Sequence, residues 1–241
     1  CGSAASWMIK KLISNKGGLH NRVTKRLQIE PFNLAETEAF LKNLGANYSK
    51  YQIVQLYMVF GGIPYYLEQI NVSQSDVQNI NTLCFKSNAF FKTEYDLLFG
   101  SLFNHHHRHQ DVMAALAKKG SGMTRSEILK YSKLDSGGTT SSILRELEES
   151  SFIRKYSAYG KKEKDHVYQL IDFYSLFYLK HISKVANSDS TYWIDNFNSP
   201  KYFAWAGYSF ELVCLTHISV IKKALGIQGI GSETLSWRSA E

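Results

Sequence analysis

The chain has 241 residues, of which 44% are apolar and 20% are charged, and its formal net charge is +7. This composition excludes a disordered chain and allows a buried core in one to three domains. No apolar run approaches the roughly 20 residues that span a bilayer. We therefore expect a soluble, cytoplasmic protein with no membrane partner. Three cysteines without C-x-x-C spacing indicate neither a disulfide framework nor a zinc site. Because the first residue is not Met, we also expect the later part of a longer protein.

The N-terminal part predicts a short strand followed by a capped helix. In residues 26–32, Leu27 and Ile29 alternate with polar residues, which is typical of a half-buried edge strand. Asn33 has Glu36 three residues after it, which is the spacing of a capping box. This pair predicts a helix that begins directly after Asn33.

Residues 48–70 predict two apolar helices interrupted by Gly61, Gly62 and Pro64. Proline inside a helix removes a hydrogen bond, so this segment is a turn or the start of a new helix. A simple helix break explains such a segment.

Residues 111–172 predict a complete small module. It opens with a helix that starts at Asp111, and a second helix follows with Thr124 as its N-cap. In the third helix, Ile143, Leu144 and Leu147 share one face. Two strands follow, at residues 153–158 and 165–171, and the order is that of a winged helix-turn-helix.

The functional interpretation of this module is DNA binding. It places the third helix in a major groove, and Lys161, Lys162 and Lys164 of the basic wing on phosphate groups.

The charge balance of the module supports a different interpretation equally well. Residues 111–170 contain 11 Lys and Arg against 8 Asp and Glu. Within the third helix, Arg145 is outnumbered by Glu146, Glu148 and Glu149, which repel phosphate. A structural or protein-docking role is therefore an equal alternative.

A histidine tract precedes the module, at positions 105, 106, 107 and 109. Consecutive histidines rarely converge on one metal ion without ligands fixed elsewhere. We therefore favour a helix boundary or linker over a metal site.

The last third of the chain predicts two helices and a linker. Residues 170–185 predict an aromatic helix with Phe173, Phe177 and Ile182 in the core. Residues 187–200 are polar and predict a linker. Residues 205–225 predict one continuous helix. Its buried face is predicted to comprise Phe210, Val213, Cys214, His217, Ile221 and Leu225.

Three runs of the sequence resemble the second half of the nucleotide-binding region in the archaeal ATPase family, a group of bacterial and archaeal AAA+ (STAND-type) ATPases. The runs are GSAASWM at residues 2–8, GGLHNRVTKRLQIEPFNLAETEAFL at residues 17–41 and FGGIPYYLEQI at residues 60–70. In that family a sensor strand ends in a small polar residue, a later strand ends in Pro-Phe, and a helical lid carries Gly-x-Pro. The resemblance covers roughly the whole chain.

The resemblance implies catalytic roles for residues near the N-terminus. Ser3 takes the sensor position, whose hydroxyl reads the terminal phosphate or its attacking water. Arg22 and Arg26 are candidates for an arginine that stabilises the transferred phosphoryl group. Such an arginine acts in the same or in a neighbouring subunit, so a homo-oligomer is one expected partner. The alternative for each arginine is a solvated or locally paired surface cation.

The resemblance also implies a nucleotide contact at Gly62, Ile63 and Pro64, with the last two packed against adenine. The phosphate-binding loop G-x-x-x-x-G-K-[ST] is absent from the sequence. We therefore expect ATP with Mg²⁺ to bind to the intact protein, and we expect no cofactor and no ATP hydrolysis for this chain alone.

The C-terminal end resembles the opening of a PD-(D/E)XK nuclease-like domain, through GYSFE at residues 207–211 and IGSETLSW at residues 230–237. The resemblance gives Glu211 the role of a helix carboxylate that helps to hold a divalent metal ion. The acids and the lysine of the catalytic hairpin are absent, so a solvated Glu211 is an equal alternative.

Taken together, these patterns predict a mainly α (α+β) protein in four consecutive segments. They are the end of the AAA+ core at 1–32, a helical lid at 33–104, a winged helix with its following helix at 105–186, and the start of a nuclease-like domain at 187–241. The predicted function is that of the C-terminal part of an ATP-binding AAA+/STAND-type ATPase. The alternative is a winged-helix DNA-binding regulator.

Overall fold

The structure is a computed structural model that describes residue 27 and residues 29–132, 134–157, 166–185 and 190–231. It is mainly α-helical with one small antiparallel sheet, as the sequence predicts. In chain order the elements are α1 (Leu34–Asn43), α2 (Lys50–Phe60), α3 (Pro64–Leu67), α4 (Asp76–Cys84), α5 (Phe90–Leu102), α6 (His106–Leu116), β1 (Met123–Thr124), α7 (Arg125–Ser132), α8 (Gly138–Glu149), β2 (Ile153–Ser157), β3 (His166–Leu170), α9 (Phe173–Lys180), a 3-10 turn (Ile182–Lys184), α10 (Tyr192–Asn196), α11 (Pro200–Thr216) and α12 (Ile218–Ala224).

The described residues form two compact units. The helical unit lies in Pro31–Thr93 and Phe173–Thr234, and the mixed unit has Glu94–Asp172 as its main part. This division differs from the four consecutive segments that the sequence predicts. The helices that precede and follow the mixed unit in the sequence belong to one unit, because α2 packs against both α9 and α11.

The helical unit is built around α2. Its first turn is fixed by a capping box between Ser49 and Gln52. Ile53 and then every residue from Gln55 to Phe60 is buried, as expected for a helix with neighbours on all sides. Three predicted core residues of the C-terminal half are confirmed, since Phe173, Phe177 and Ile182 are all buried.

The helix predicted after Asn33 is confirmed together with its cap. The Glu36 amide donates to Asn33 Oδ1 at 3.0 Å, and the Asn33 amide donates to Glu36 Oε2 at 2.8 Å. The two bonds satisfy two amides that have no partner within α1.

In the mixed unit, α6, α7 and α8 precede β2 and β3, in the order that the sequence predicts. β2 and β3 pair antiparallel, with Ile153 opposite Leu170. The short strand β1, which the sequence pattern did not indicate, pairs with the other edge of β3. The predicted core face of α8 is confirmed, because Ile143, Leu144 and Leu147 are buried.

The continuous helix predicted at residues 205–225 is wrong. α11 and α12 are separate helices, bent by 71° relative to each other at His217. The residues buried on α11 are Tyr202, Trp205, Ser209, Leu212 and Val213. Phe210 and Leu225, which were predicted to be buried, are 51% and 66% exposed. No residue of α12 is buried.

The edge strand predicted at residues 26–32 is also not seen where the structure describes it. Leu27 and Ile29 are 77% and 87% exposed and lie in no regular element. A strand needs a partner for its backbone amides and carbonyls, and alternation of residue types alone does not supply one.

Among the described residues, no single helix has the length and apolar character needed to cross a membrane, and α11 and α12 pass that test only as a bent pair.

Candidate functional site

The Gly-Gly-Ile-Pro segment forms a tight turn between α2 and α3. The Gly61 amide donates to the Tyr57 carbonyl at 2.8 Å, which ends α2. Gly61 has a φ of 63°, in the left-handed region that favours glycine. Pro64 is the first residue of α3, where an N–H would have no helical acceptor. The sequence therefore predicts this turn correctly.

The turn is packed directly against the Pro-Phe segment that precedes α1. The Phe32 amide donates to the Gly62 carbonyl at 2.7 Å. A Cβ atom at Gly62 would lie 1.8 Å from the Phe32 carbonyl oxygen, so only glycine fits. The two backbones can approach this closely because position 62 has no side chain. The structure thus brings together two of the runs on which the family resemblance depends.

Two polar side chains hold this junction in place. The Tyr57 hydroxyl donates to the Phe32 carbonyl at 3.0 Å. Burial raises the pKa of the Tyr57 phenol to about 12, with a further contribution from Glu36, so it remains a donor at neutral pH. His217 accepts a hydrogen bond from the Leu34 amide through Nε2, at 2.9 Å.

The second bond of His217 fixes its tautomer. Nδ1 lies 2.8 Å from the Val213 carbonyl, which can only accept, so Nδ1 carries the proton. The imidazole therefore links the end of α11 to the first amide of α1. Its ring also lies edge-on against Tyr57, with 5.6 Å between centroids. Local sequence patterns carry no signal for this role, because His217 is 183 residues away from Leu34.

The exposed edge of the turn is apolar. Gly62 is buried, Ile63 is half-buried and Pro64 is exposed. The neighbouring Tyr65 is 54% exposed, and its ring contacts Phe90 edge-to-face at 5.7 Å between centroids. A surface of this kind can pack against a flat aromatic group such as a nucleotide base. Of the three predicted nucleotide-binding residues, Ile63 and Pro64 therefore face outward, whereas Gly62 faces Phe32.

Six of the predicted site residues lie outside the described residues. They are Ser3, Arg22 and Arg26 near the N-terminus, and Lys161, Lys162 and Lys164 in the wing. Their roles stay predictions.

Glu211 is exposed on α11. In the part of the chain that the structure describes, no three His, Cys, Asp or Glu side chains are placed to hold a metal ion. The predicted metal role of Glu211 therefore depends on residues that the structure does not describe.

The histidine tract lies at a helix boundary, as predicted. His105 is the N-cap of α6 and has a φ of 56°. His109 is buried on α6, where its Nε2 lies 3.0 Å from Glu146 Oε2 of α8 and its ring stacks on Phe103 at 4.2 Å. Glu146 also accepts a hydrogen bond from Ser142 at 3.0 Å. Glu146, which the charge pattern placed among the acids that repel phosphate, is therefore a buried packing contact.

The surface of α8 carries mixed charge. Arg145 is exposed and lies 3.9 Å from Glu149, and Glu148 is also exposed. At the other end of the helix, the Arg125 guanidinium donates to Ser141 Oγ at 2.9 Å and to the Gly137 carbonyl at 3.1 Å. The N-terminal half of α8 is therefore neutral or basic, and the C-terminal half is acidic.

Comparison with known proteins gives one relative. The chain is 25% identical over 226 residues to an uncharacterised protein of Methanocaldococcus jannaschii. The alignment covers 92% of this chain and 49% of the archaeal protein, so the chain spans about half the length of that relative. No protein-family model matches the chain, and no solved structure matches it.

Proposed function

We propose that this chain is the C-terminal part of an ATP-binding AAA+/STAND-type ATPase. The observation that carries the proposal is the junction of Phe32 with the Gly61–Pro64 turn. Two sequence runs that resemble separate motifs of the archaeal ATPase family meet there, at a backbone hydrogen bond of 2.7 Å. Residues 33–104 then correspond to the helical lid that follows the nucleotide-binding core.

In this proposal the exposed edge of the turn receives the base of the nucleotide. Ile63 and Pro64 pack against adenine, and Tyr65 extends the same apolar surface. Ser3 and Arg22 act on the terminal phosphate, and Arg26 is a second candidate for the arginine role. Mg²⁺ and the phosphate-binding loop belong to the intact protein, which we expect to be longer than these 241 residues.

The test uses the longest natural polypeptide that contains this chain and a phosphate-binding loop. ATP binding is measured by calorimetry for the unaltered protein and for the Ile63→Glu variant. A carboxylate placed against the base should weaken ATP binding about tenfold or more, a loss of about 1.4 kcal/mol. Ile194→Glu is the control, because it places the same carboxylate in the helical unit at a residue outside the Gly61–Pro64 turn that is 48% exposed.

The proposal fails if Ile63→Glu and Ile194→Glu bind ATP equally well, or if the unaltered protein does not bind ATP. A second variant, Arg22→Ala, distinguishes the binding of ATP from its hydrolysis. It should retain ATP binding and reduce the turnover number.

A second candidate function is DNA binding by the mixed unit. The observation in its favour is the element order with the sheet order β1-β3-β2, which matches a winged helix-turn-helix. The acidic C-terminal half of α8 argues against deep insertion into a groove. Titration of duplex DNA at several salt concentrations tests it. Substitution of Lys161, Lys162 and Lys164 by Gln should lower the salt slope if the wing contacts phosphates.

The proposed nuclease-like segment, residues 187–241, is supported only by its resemblance at Glu211. That role requires further acidic ligands, and we assign no nuclease activity to this chain.

A further inference from the structure

One face of α11 is apolar and exposed. It comprises Phe203, Gly207, Phe210 and Cys214, which point away from the buried residues of the helix, and we call it the outer face. The Phe203 and Phe210 side chains are 59% and 51% exposed, Gly207 is exposed, and Cys214 is half-buried. The outer face belongs to the helical unit and does not include the turn at Gly61–Pro64, so the inference below does not depend on the nucleotide role of that turn.

The spacing of the outer face is that of a helix that packs against another helix. Its four residues are separated by four, three and four positions along α11. This is the alternation of the a and d positions in a coiled coil, which repeatedly bring one side of a helix against its partner. Because both phenyl rings are more than half exposed, the described helices of the same chain leave them uncovered.

The order of side-chain sizes fits the outer face to a second copy of itself. Large and small residues alternate along it, as Phe, Gly, Phe and Cys. When two copies of α11 lie antiparallel across a two-fold axis, Phe203 lies opposite Cys214 and Gly207 lies opposite Phe210. Each phenyl ring then meets a small residue, which is how facing positions interdigitate in a packed core. In a parallel pair each Phe would instead meet the same Phe of the other copy.

The size of the outer face sets the strength of such a pairing. α11 has 17 residues and is therefore about 25 Å long. A strip of this length and of the width of one helix buries roughly 800 Å² over both copies, which is in the range of weak, transient interfaces. The two charged residues of α11, Lys201 and Glu211, lie outside the outer face, so the paired residues carry no charge. The area and the apolar character together fit a dimer that dissociates on dilution.

We propose that the outer face of α11 is a dimer interface, at which two copies of this chain pack antiparallel across a two-fold axis. The dimer forms at a concentration of about 100 μM and dissociates at about 1 μM.

The test is sedimentation velocity of the 241-residue chain at concentrations from about 1 μM to about 300 μM. The sedimentation coefficient should rise with concentration from the value of a monomer toward that of a dimer. Phe210→Glu should weaken dimerisation at least about tenfold, because it places a carboxylate in an apolar contact. Leu44→Glu is the matched control, since it places the same carboxylate in the helical unit at a residue outside α11 that is 43% exposed. It should dimerise like the unaltered chain.

A pair of variants tests the antiparallel arrangement. A Cβ atom at Gly207 would meet nothing within 4 Å, so Gly207→Phe is compatible with the fold of a single copy. In the dimer it sets Phe against Phe210 of the second copy and should weaken association at least about tenfold. Adding Phe210→Ala to Gly207→Phe again sets a large residue against a small one. The double variant should therefore regain the affinity of the unaltered chain to within about threefold.

The proposal is overturned if the unaltered chain stays monomeric up to about 300 μM, which would leave the outer face to a different partner. It is also overturned if Phe210→Glu and Leu44→Glu dimerise equally well, since the dimer would then use another surface. If the double variant associates no better than Gly207→Phe alone, the antiparallel pairing is wrong. Far-UV circular dichroism of each variant establishes that a lost dimer is not a lost fold.

Discussion

At the scale of single residues, the identity of residue 62 is set by one neighbouring atom. A Cβ atom there would lie 1.8 Å from the Phe32 carbonyl oxygen. Because the obstacle is backbone and cannot rotate away, we expect Gly62→Ala to lower the free energy of unfolding by about 2–4 kcal/mol. Urea denaturation followed by circular dichroism measures the change.

The chain offers a control with the opposite expected sign. Gly207 lies inside α11, is exposed, and a Cβ atom there would meet nothing within 4 Å. Gly207→Ala should therefore raise stability by about 0.5–1 kcal/mol through its helix propensity. If Gly62→Ala left stability unchanged or raised it, as expected for Gly207→Ala, the contact with Phe32 would not determine the identity of residue 62.

A second residue-scale prediction concerns Glu146, which the sequence pattern placed among repulsive surface acids. Its carboxylate bonds to His109 and Ser142 within the core. Glu146→Ala should lower the free energy of unfolding by about 3 kcal/mol, because the buried imidazole loses this partner. Glu148→Ala, an exposed change in the same helix, should stay within about 0.5 kcal/mol of the unaltered protein.

Local spacing explains which residue roles the sequence could predict. The capping box of Asn33 and Glu36 needs only three residues and was predicted correctly. The crowding at Gly62 depends on Phe32, which is 30 positions earlier, and the burial of Glu146 depends on His109, 37 positions earlier. Neither partner can be inferred from periodicity, because both contacts form only when distant parts of the chain pack together.

At the scale of elements, apolar periodicity predicted several of the helices but not the break between α11 and α12, and the linker predicted at residues 187–200 contains α10 with a fully buried Trp193. The apolar pattern continues through His217, so the sequence indicates one helix. The break occurs where His217 bonds both to Val213 and to the Leu34 amide. The end of α11 therefore coincides with a tertiary hydrogen bond, in which His217 accepts from the Leu34 amide of α1.

This link between α1 and α11 can be tested by hydrogen exchange. His217→Ala removes the acceptor of the Leu34 amide, so that amide should exchange at least about tenfold faster. The Thr37 amide, bonded to the Asn33 carbonyl at 2.8 Å, is the internal reference and should change little. If the two amides accelerate by the same factor, α1 as a whole has loosened and the specific role of His217 is not supported.

At the scale of the whole molecule, the two units should respond to acid in different pH ranges. Burial lowers the pKa of His181 in the helical unit to about 3, and the charges of Lys201, Lys184 and Lys180 add to this effect. In the mixed unit, burial raises the pKa of Glu127, but hydrogen bonds from Lys119 and Thr124 prevail and lower it to about 2. The pKa falls from 6.5 for His181 and from 4.5 for Glu127, so their contributions to stability are lost over different pH intervals.

The helical unit should weaken first. The folded pKa of His181 is below its unfolded value of about 6.5, so the unfolded chain takes up the proton more readily. Its stabilising contribution is present above pH 6.5 and is lost as the pH falls toward 3. The contribution of Glu127 is present above its unfolded pKa of about 4.5 and is lost toward pH 2. Between pH 6.5 and 4.5 the loss from His181 should approach about 1.4 kcal/mol per pH unit.

Urea denaturation at pH 6.5, 5.5 and 4.5 measures this loss, with His181→Phe as the comparison. Phenylalanine keeps a ring among Phe177, Trp193 and Trp205, which surround His181, but cannot take up a proton. The difference in stability between the two proteins should therefore shift in favour of His181→Phe as the pH falls. Parallel losses in both proteins would mean that other groups control the acid response, and that the buried imidazole does not set the pH range of the helical unit.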